Sequence, residues 1–242
     1  MSSIKAVIFD VDGTLYDYNT SEGYAEDKVC EYTSRRFNMT PSETSDLYYE
    51  MLRRQEEELG PTNSAIHSRM IRFQKFLEEI GRPVFPHALN LTKLYWDTFM
   101  DTMIAEPGIT ELMRQLRYRG IHVALGTNMS ATIQYEKVER LKLGGYVQTV
   151  LTSEEAGAEK PQKEFFDCLT RKINVRPEEC VFIGDNAKLD YQGARRAGMH
   201  GVWYSRYGGE HKELENSITS KIDSYLDCVR AGEIRLGDVV IN

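Results

Sequence analysis

Two aspartates one residue apart, Asp10 and Asp12, follow the apolar run Ala6-Val7-Ile8-Phe9 and lead into Gly13-Thr14. Backbone alternation at the end of a strand returns side chains i and i+2 to the same side, so this spacing aims two carboxylates at one small volume. One carboxylate can attack phosphorus and carry it as an acyl phosphate. A carboxylic acid beside it can give a proton to the leaving oxygen and later take one from water. Gly13 lets the chain turn sharply beside a ligand. The same residues also suit an ordinary turn with two solvated carboxylates, so the chemistry needs partners elsewhere in the chain.

Three later segments supply such partners. The apolar run Ile121–Leu125 ends in Gly126-Thr127-Asn128, a hydroxyl and neighbouring N–H groups suited to a phosphoryl oxygen that is not transferred. Lys160 precedes Pro161, which biases its backbone to an extended form, and its ammonium can neutralise both an attacking carboxylate and a phosphate. The run Cys180–Ile183 enters Gly184-Asp185-Asn186, with Asp190 shortly after. Aspartates at such a strand end offer hard oxygen donors, of the kind that could join a phosphate around a divalent cation.

In chain order, Asp10-Val11-Asp12-Gly13-Thr14 after a strand, Thr127-Asn128, Glu159-Lys160-Pro161 ahead of Phe165-Phe166, and Gly184-Asp185 with Asp190 resemble the four motifs of the haloacid dehalogenase superfamily. Most members are Mg2+-dependent phosphohydrolases. The resemblance implies Asp10 as nucleophile, Asp12 as general acid and base, and Thr127, Asn128 and Lys160 as phosphate-binding groups. It also implies Mg2+ held by Asp10, Asp185 and the backbone carbonyl of Asp12, with Asp190 acting through water or by holding Lys160. The expected reaction is hydrolysis of a small phosphomonoester (a sugar phosphate, nucleotide or related metabolite) through an aspartyl-phosphate. A phosphomutase of the β-phosphoglucomutase type and a non-catalytic binding or regulatory protein are the alternatives on the same scaffold.

These residues must be positioned by an α/β framework. Short apolar runs alternate with helical segments at both ends of the chain, as βαβ units require. Five parallel strands are expected: Ala6–Phe9, Ile121–Leu125, Val147–Leu151, Cys180–Ile183 and Gly201–Tyr204. The segment 153–161 reads as a loop, Gln192–Ala197 as a helix, and Ile222–Val229 as a closing helix. By resemblance the core is a doubly wound, Rossmann-like sheet of order 3-2-1-4-5.

Residues 19–104 break the alternation and read as an inserted helical bundle between two parts of the core, 1–18 and 105–242. Its helices are expected over Glu22–Phe37, Ser42–Leu59 (closed by Gly60-Pro61), Ser64–Gly81 and Ala88–Met103. In the third, Ile66, Met70, Phe73, Leu77 and Ile80 form one apolar stripe. By resemblance this insert is a C1-type cap, a lid that excludes water and completes recognition. Arg53, Arg54, His67, Arg69 and Arg72 are its candidate substrate contacts, although a charged face opposite an apolar stripe is also simply a solvated one. Tyr48, Tyr49, Tyr95 and Trp96 read as packing, and His122 as a core histidine.

A chain of 242 residues with 41% hydrophobic content is long enough for a real core. A net charge of −7 argues against a nucleic-acid surface. No run approaches the roughly 18 apolar residues needed to span a bilayer, and Met1-Ser2-Ser3 leads straight into a strand without a signal-like segment. The expectation is a cytoplasmic protein with neither membrane nor nucleic-acid partner, acting on a small phosphorylated metabolite. Cys30, Cys168, Cys180 and Cys228 are scattered and read as buried free thiols.

Overall fold

The structure, a computed structural model, describes residues 3–60, 64–207, 214, 217–230 and 232–241. Its chain divides into two compact units, Met1–Asp17 with Ile104–Asn242, and Tyr18–Met103.

The first unit begins with β1 (Ala6–Phe9), and the chain returns to it at α5 (Ile109–Tyr118) after the four helices of the second unit. The second unit consists of α1 (Tyr18–Phe37), α2 (Pro41–Leu59), α3 (Arg69–Glu79) and α4 (His87–Thr102). Beyond α5 come β2 (His122–Thr127), α6 (Ala131–Arg140), β3 (Thr149–Thr152), α7 (Ser153–Ala156), α8 (Lys163–Ile173), β4 (Cys180–Gly184), α9 (Gly193–Arg196) and β5 (His200–Tyr204). Four short strands close the chain: β6 (Lys221–Ile222), β7 (Val229–Arg230), β8 (Glu233–Leu236) and β9 (Val239–Ile241).

β1 is the middle of a parallel sheet of order β3-β2-β1-β4-β5-β6, with Ile8 paired to Ala124 on one side and Phe182 on the other. All four of its side chains are fully buried, because helices cover both faces of such a sheet. α8 shows how one helix does this. Phe165, Phe166, Leu169 and Ile173 fall on one stripe and pack on Ile8, Ala124 and Phe182. Burying each large apolar side chain contributes roughly 1.5–3 kcal/mol.

Four expectations for this unit are corrected. The sheet has six strands, because Lys221–Ile222 pairs beside β5, held by the Trp203 amide on the Ser220 carbonyl (3.0 Å) and the Ser205 amide on Ile222 (2.8 Å). No helix spans Ile222–Val229. The apolar spacing there looks helical, but Tyr225 is buried in a stack on Tyr204 (4.6 Å) while neighbouring Leu226 is 64% exposed, so the two do not share a buried face. The tail instead forms an antiparallel sheet β7-β8-β9 in which Ile234, Leu236, Val239 and Ile241 are buried at every second position. Of the tail from 210 onward, residues 210–213, 215, 216, 231 and 242 lie outside the described residues. The loop 153–161 contains a helical turn, α7, whose N-terminus is capped by the Thr152 hydroxyl accepting from the Glu155 amide (3.2 Å). The helix expected around Gln192 starts earlier, as a π-helical turn over Ala187–Gln192.

In the second unit, α4 buries Leu91, Tyr95 and Phe99 on one stripe, and α1 buries Ala25 and Val29. The helix expected over Ser64–Gly81 is interrupted: Ser64–His67 is a 3-10 turn, and the Ser68 side chain caps α3 by accepting from the Ile71 amide (3.3 Å). Starting at Arg69, α3 turns Arg69, Arg72, Phe73, Phe76 and Leu77 inward and leaves Met70 37% exposed. Pro61, expected to close the second helix, lies outside the described residues.

No helix among the described residues is long and apolar enough to cross a membrane. All four cysteines are free; Cys180 and Cys228 are buried, whereas Cys30 and Cys168 are only half-buried.

Candidate active site

β2, β1 and β4 are neighbours running in parallel, so their C-terminal ends lie side by side. That register brings Thr127 at the end of β2, Asp10 just beyond β1 and Asp185 just beyond β4 to one edge of the sheet, the usual place for a ligand in such folds. The carboxylates of Asp10, Asp185 and Asp190 lie within 4.8 Å of one another. Lys160, in the loop before α8, reaches in between them, with Nζ 2.7 Å from Asp10 Oδ1 and 2.7 Å from Asp190 Oδ1.

Each group is fixed by its own local structure. Asn186 accepts the Lys188 and Leu189 amides on its side-chain oxygen (3.0 and 2.9 Å) and donates its own amide to Asp190 Oδ2 (3.0 Å), so the π-helical turn delivers Asp190. A side chain at Gly184 would overlap the Asp190 carboxylate. One at Gly13, which sits at φ +71°, would overlap that of Asp185. The Asp185 amide donates to the Thr14 hydroxyl (3.0 Å), and its carbonyl accepts the Trp203 indole N–H (2.7 Å). Asn128 clasps the Lys160 backbone both ways, accepting its amide (2.9 Å) and donating to its carbonyl (3.3 Å). Thr127 is buried beside it.

Fully ionised, these three carboxylates, of which Asp10 and Asp190 are buried and Asp185 half-buried, would carry two negative charges beyond the one ammonium of Lys160. Burial, opposed by Lys160 and reinforced by Asp190 and Asp12, pushes Asp10 up to about 7. Burial, with the Asp10 and Asp190 charges, also holds Asp185 well above the usual carboxylate range. Lys160 would be lowered by its burial, but Asp10 and Asp190 overcome this and hold it above its ordinary value. A deficit of two positive charges among hard oxygen donors fits a divalent cation of the Mg2+ type.

Asp12 is not one of those three carboxylates, although its charge is felt at Asp10 and Asp185. Its Oδ1 accepts from the Tyr16 hydroxyl and from Lys137 Nζ (2.6 Å), and its Oδ2 from Gln134 Nε2 (2.9 Å). Burial alone would raise this carboxyl, but Lys137, with Tyr16 and Gln134, outweighs it and holds Asp12 below its ordinary value.

Sequence reasoning missed Lys137, Gln134, Tyr16, Thr14 and Trp203. One readable signal existed: Gln134 and Lys137 share a face with Val138 on the short helix that follows Thr127. The candidate contacts of the helical unit do not gather into one cluster. Arg53 pairs with Glu57 (2.6 Å) and Arg54 with Glu79 (2.8 Å), and both pairs are on the surface. Arg69 and Arg72 are buried rather than on a solvated face, Arg69 on Glu22 (3.1 Å), Tyr18 and Tyr95 (2.8 and 3.0 Å) and Arg72 on Tyr48 (3.4 Å). His67 gives its carbonyl to Arg69 (3.4 Å). His122 is half-buried, its ring on the Thr149 hydroxyl (2.9 Å).

The sequence model of the haloacid dehalogenase-like hydrolases matches residues 4–198. The chain is 33% identical over 200 residues to the ribulose-1,5-bisphosphate 5-phosphatase of Halopiger xanaduensis, covering 82% of this chain and 84% of that protein. It is 33% identical over 216 residues to the glyceraldehyde 3-phosphate phosphatase of Methanopyrus kandleri, covering 88% of each. Among solved structures, a haloacid dehalogenase-type phosphatase from Thermococcus onnurineus has a similar fold, with a TM-score of 0.70 at 21% identity over 92% of this chain and 95% of that one.

Proposed function

Because the chain belongs to the haloacid dehalogenase-like hydrolases, and because the carboxylates of Asp10, Asp185 and Asp190 outnumber the Lys160 ammonium by two, we propose that it is a Mg2+-dependent phosphohydrolase of small phosphomonoesters. The charge deficit at Asp10, Asp185 and Asp190 is the observation that carries this reading. Asp10, Asp185 and the backbone carbonyl of Asp12 would hold the ion, with Asp190 keeping Lys160 in place. Bound there, Mg2+ supplies charge stabilisation for the phosphoryl oxygens.

The chain's own groups do the rest. Asp10 attacks phosphorus, forming a carboxyl O–P bond as the ester P–O bond breaks; Asp12, a carboxylate before substrate binds, takes up a proton as the negative phosphate enters beside it and passes that proton to the leaving alkoxide. Lys160 screens Asp10 from the incoming phosphate, and the Thr127 hydroxyl and neighbouring N–H groups hold an oxygen that is not transferred. Water then attacks the same phosphorus, its proton passes to Asp12, and the bond to Asp10 breaks, releasing phosphate. The two relatives are phosphatases of ribulose-1,5-bisphosphate and glyceraldehyde 3-phosphate, which supports sugar phosphates as the first substrates to try. The helical unit Tyr18–Met103, inserted in the sequence between Asp10 and Thr127, is the proposed cap.

Phosphate release from a panel of phosphorylated sugars and nucleotides is expected to stop in EDTA and return with Mg2+; full turnover without metal would refute the reading. A second test follows from linkage. The folded protein holds the Asp10 proton more tightly than the unfolded chain does. As pH rises from 3.8 to about 7, the unfolded state therefore sheds it first, and the metal-free fold loses stability. A cation that replaces this proton should raise Tm more at about pH 8 than at about pH 5, since bound metal stabilises by mass action and competes with the proton. A Tm gain independent of pH would contradict it.

A further inference from the structure

Lys137 is 0% exposed, and the reaction described above leaves it without a task. An ammonium taken wholly out of water costs several kcal/mol unless it is well paired. An apolar residue would fill this inward position of α6 at no such cost, as Val138 does one residue on. The Lys137 side chain lies against the Tyr16 ring (5.9 Å) and Met129 Sδ (3.6 Å), and its carboxylate partner is Asp12 at 2.6 Å.

Gln134, one turn earlier, is built to the same end. Its Nε2 donates to Asp12 Oδ2 (2.9 Å) and lies 3.4 Å from the Asn128 carbonyl, while its buried Oε1 has no partner. Turned over, the amide would put Oε1 against the negative carboxylate. The observed orientation favours Asp12 at the cost of leaving one buried acceptor unsatisfied.

We propose that Lys137 and Gln134 are positioning residues that hold the Asp12 carboxylate in one orientation for its proton transfers, a role that rests on the phosphohydrolase reading. A carboxylate has roughly four lone-pair sites. Tyr16, Lys137 and Gln134 occupy three of them. The fourth, on Oδ2, is left for the reacting proton, and the Asp12 side chain remains 23% exposed to receive it. α6 starts four residues after Thr127, so one short segment sets both the phosphate-binding turn and the orientation of Asp12.

The test is a double-mutant cycle of Lys137→Met with Asp12→Asn, read with an alkyl phosphate and with p-nitrophenyl phosphate. Lys137→Met alone should lower kcat on the alkyl ester by roughly 10–100-fold with little change in KM, since a misplacement of about 1 Å can cost that much. The loss should be smaller with p-nitrophenolate, a leaving group that needs less protonation. In the Asp12→Asn background the same substitution should change kcat by less than about twofold. Melting in EDTA gives a readout independent of turnover. Asp12→Asn should lower Tm by stranding the Lys137 charge, and adding Lys137→Met should restore part of the loss. Equal kcat losses in both backgrounds, or an unchanged kcat, would overturn the positioning role while leaving the hydrolase reading intact. Normal turnover of the alkyl ester by Asp12→Asn would overturn the hydrolase reading itself. Should Lys137→Met fail to fold, Gln134→Met carries the same cycle.

Discussion

Replacing Asp10 by Asn is expected to lower kcat by a factor on the order of 10⁴ or more, because an amide oxygen does not serve as a nucleophile toward phosphorus. The same change should make the metal-free protein more stable at about pH 8, where an ionised Asp10 is costly. Asp10 shares the Lys160 ammonium with Asp190 and lies within 4.8 Å of the half-buried Asp185 carboxylate, and burial pushes its pKa up to about 7. An amide keeps its shape and removes one of the repelling charges. Lys160 still has Asp190 at 2.7 Å. Activity and stability therefore move in opposite directions, as they do where a site carries built-in repulsion. Residual turnover near the parent's, or a large fall in Tm in EDTA, would argue that Asp10 is a structural carboxylate.

Lys160→Met is the second large effect. It keeps the length of the side chain but takes the Lys160 ammonium from a group of three carboxylates, two of them buried. Turnover should fall by roughly 10²–10³-fold through lost stabilisation of the charge developing on the phosphoryl group. The loop itself should hold, because Asn128 grips the Lys160 backbone rather than its side chain. Unlike Asp10→Asn, this variant should melt lower in EDTA and recover partly with Mg2+, since removing one partner leaves buried charge unpaired. Parental kcat in Lys160→Met, or a Tm equal to the parent's in EDTA, would contradict this account.

The contrast between Lys160 and Lys137 explains what was legible in the sequence. Lys160 stands in Glu159-Lys160-Pro161 before a Phe-Phe helix, a pattern with a meaning of its own, whereas Lys137 is one charge among several on Ala131–Arg140 and belongs to no such pattern. Only the tertiary fold, which turns that helix inward at Gln134 and Lys137, reveals the difference. The same failure affected Arg69 and Arg72, buried at helix positions where the apolar stripe called for none. The doubly wound sheet was legible because Ala6–Phe9, Ile121–Leu125 and Cys180–Ile183 are short apolar runs followed at once by aspartate or glycine. The tail was not. Between Ile222 and Val229 the apolar spacing fits a helix, and hydrogen bonds to β5 together with the Tyr225–Tyr204 stack decided otherwise.

The most direct test of the account is rapid acid quench of the parent enzyme with Mg2+ and a ³²P-labelled sugar phosphate, followed by peptide mapping of the acid-stable label. The account predicts an acyl phosphate on the peptide that carries Asp10, lost on treatment with hydroxylamine and absent from Asp10→Asn. Label on any other residue, or the same label on Asp10→Asn, would contradict it.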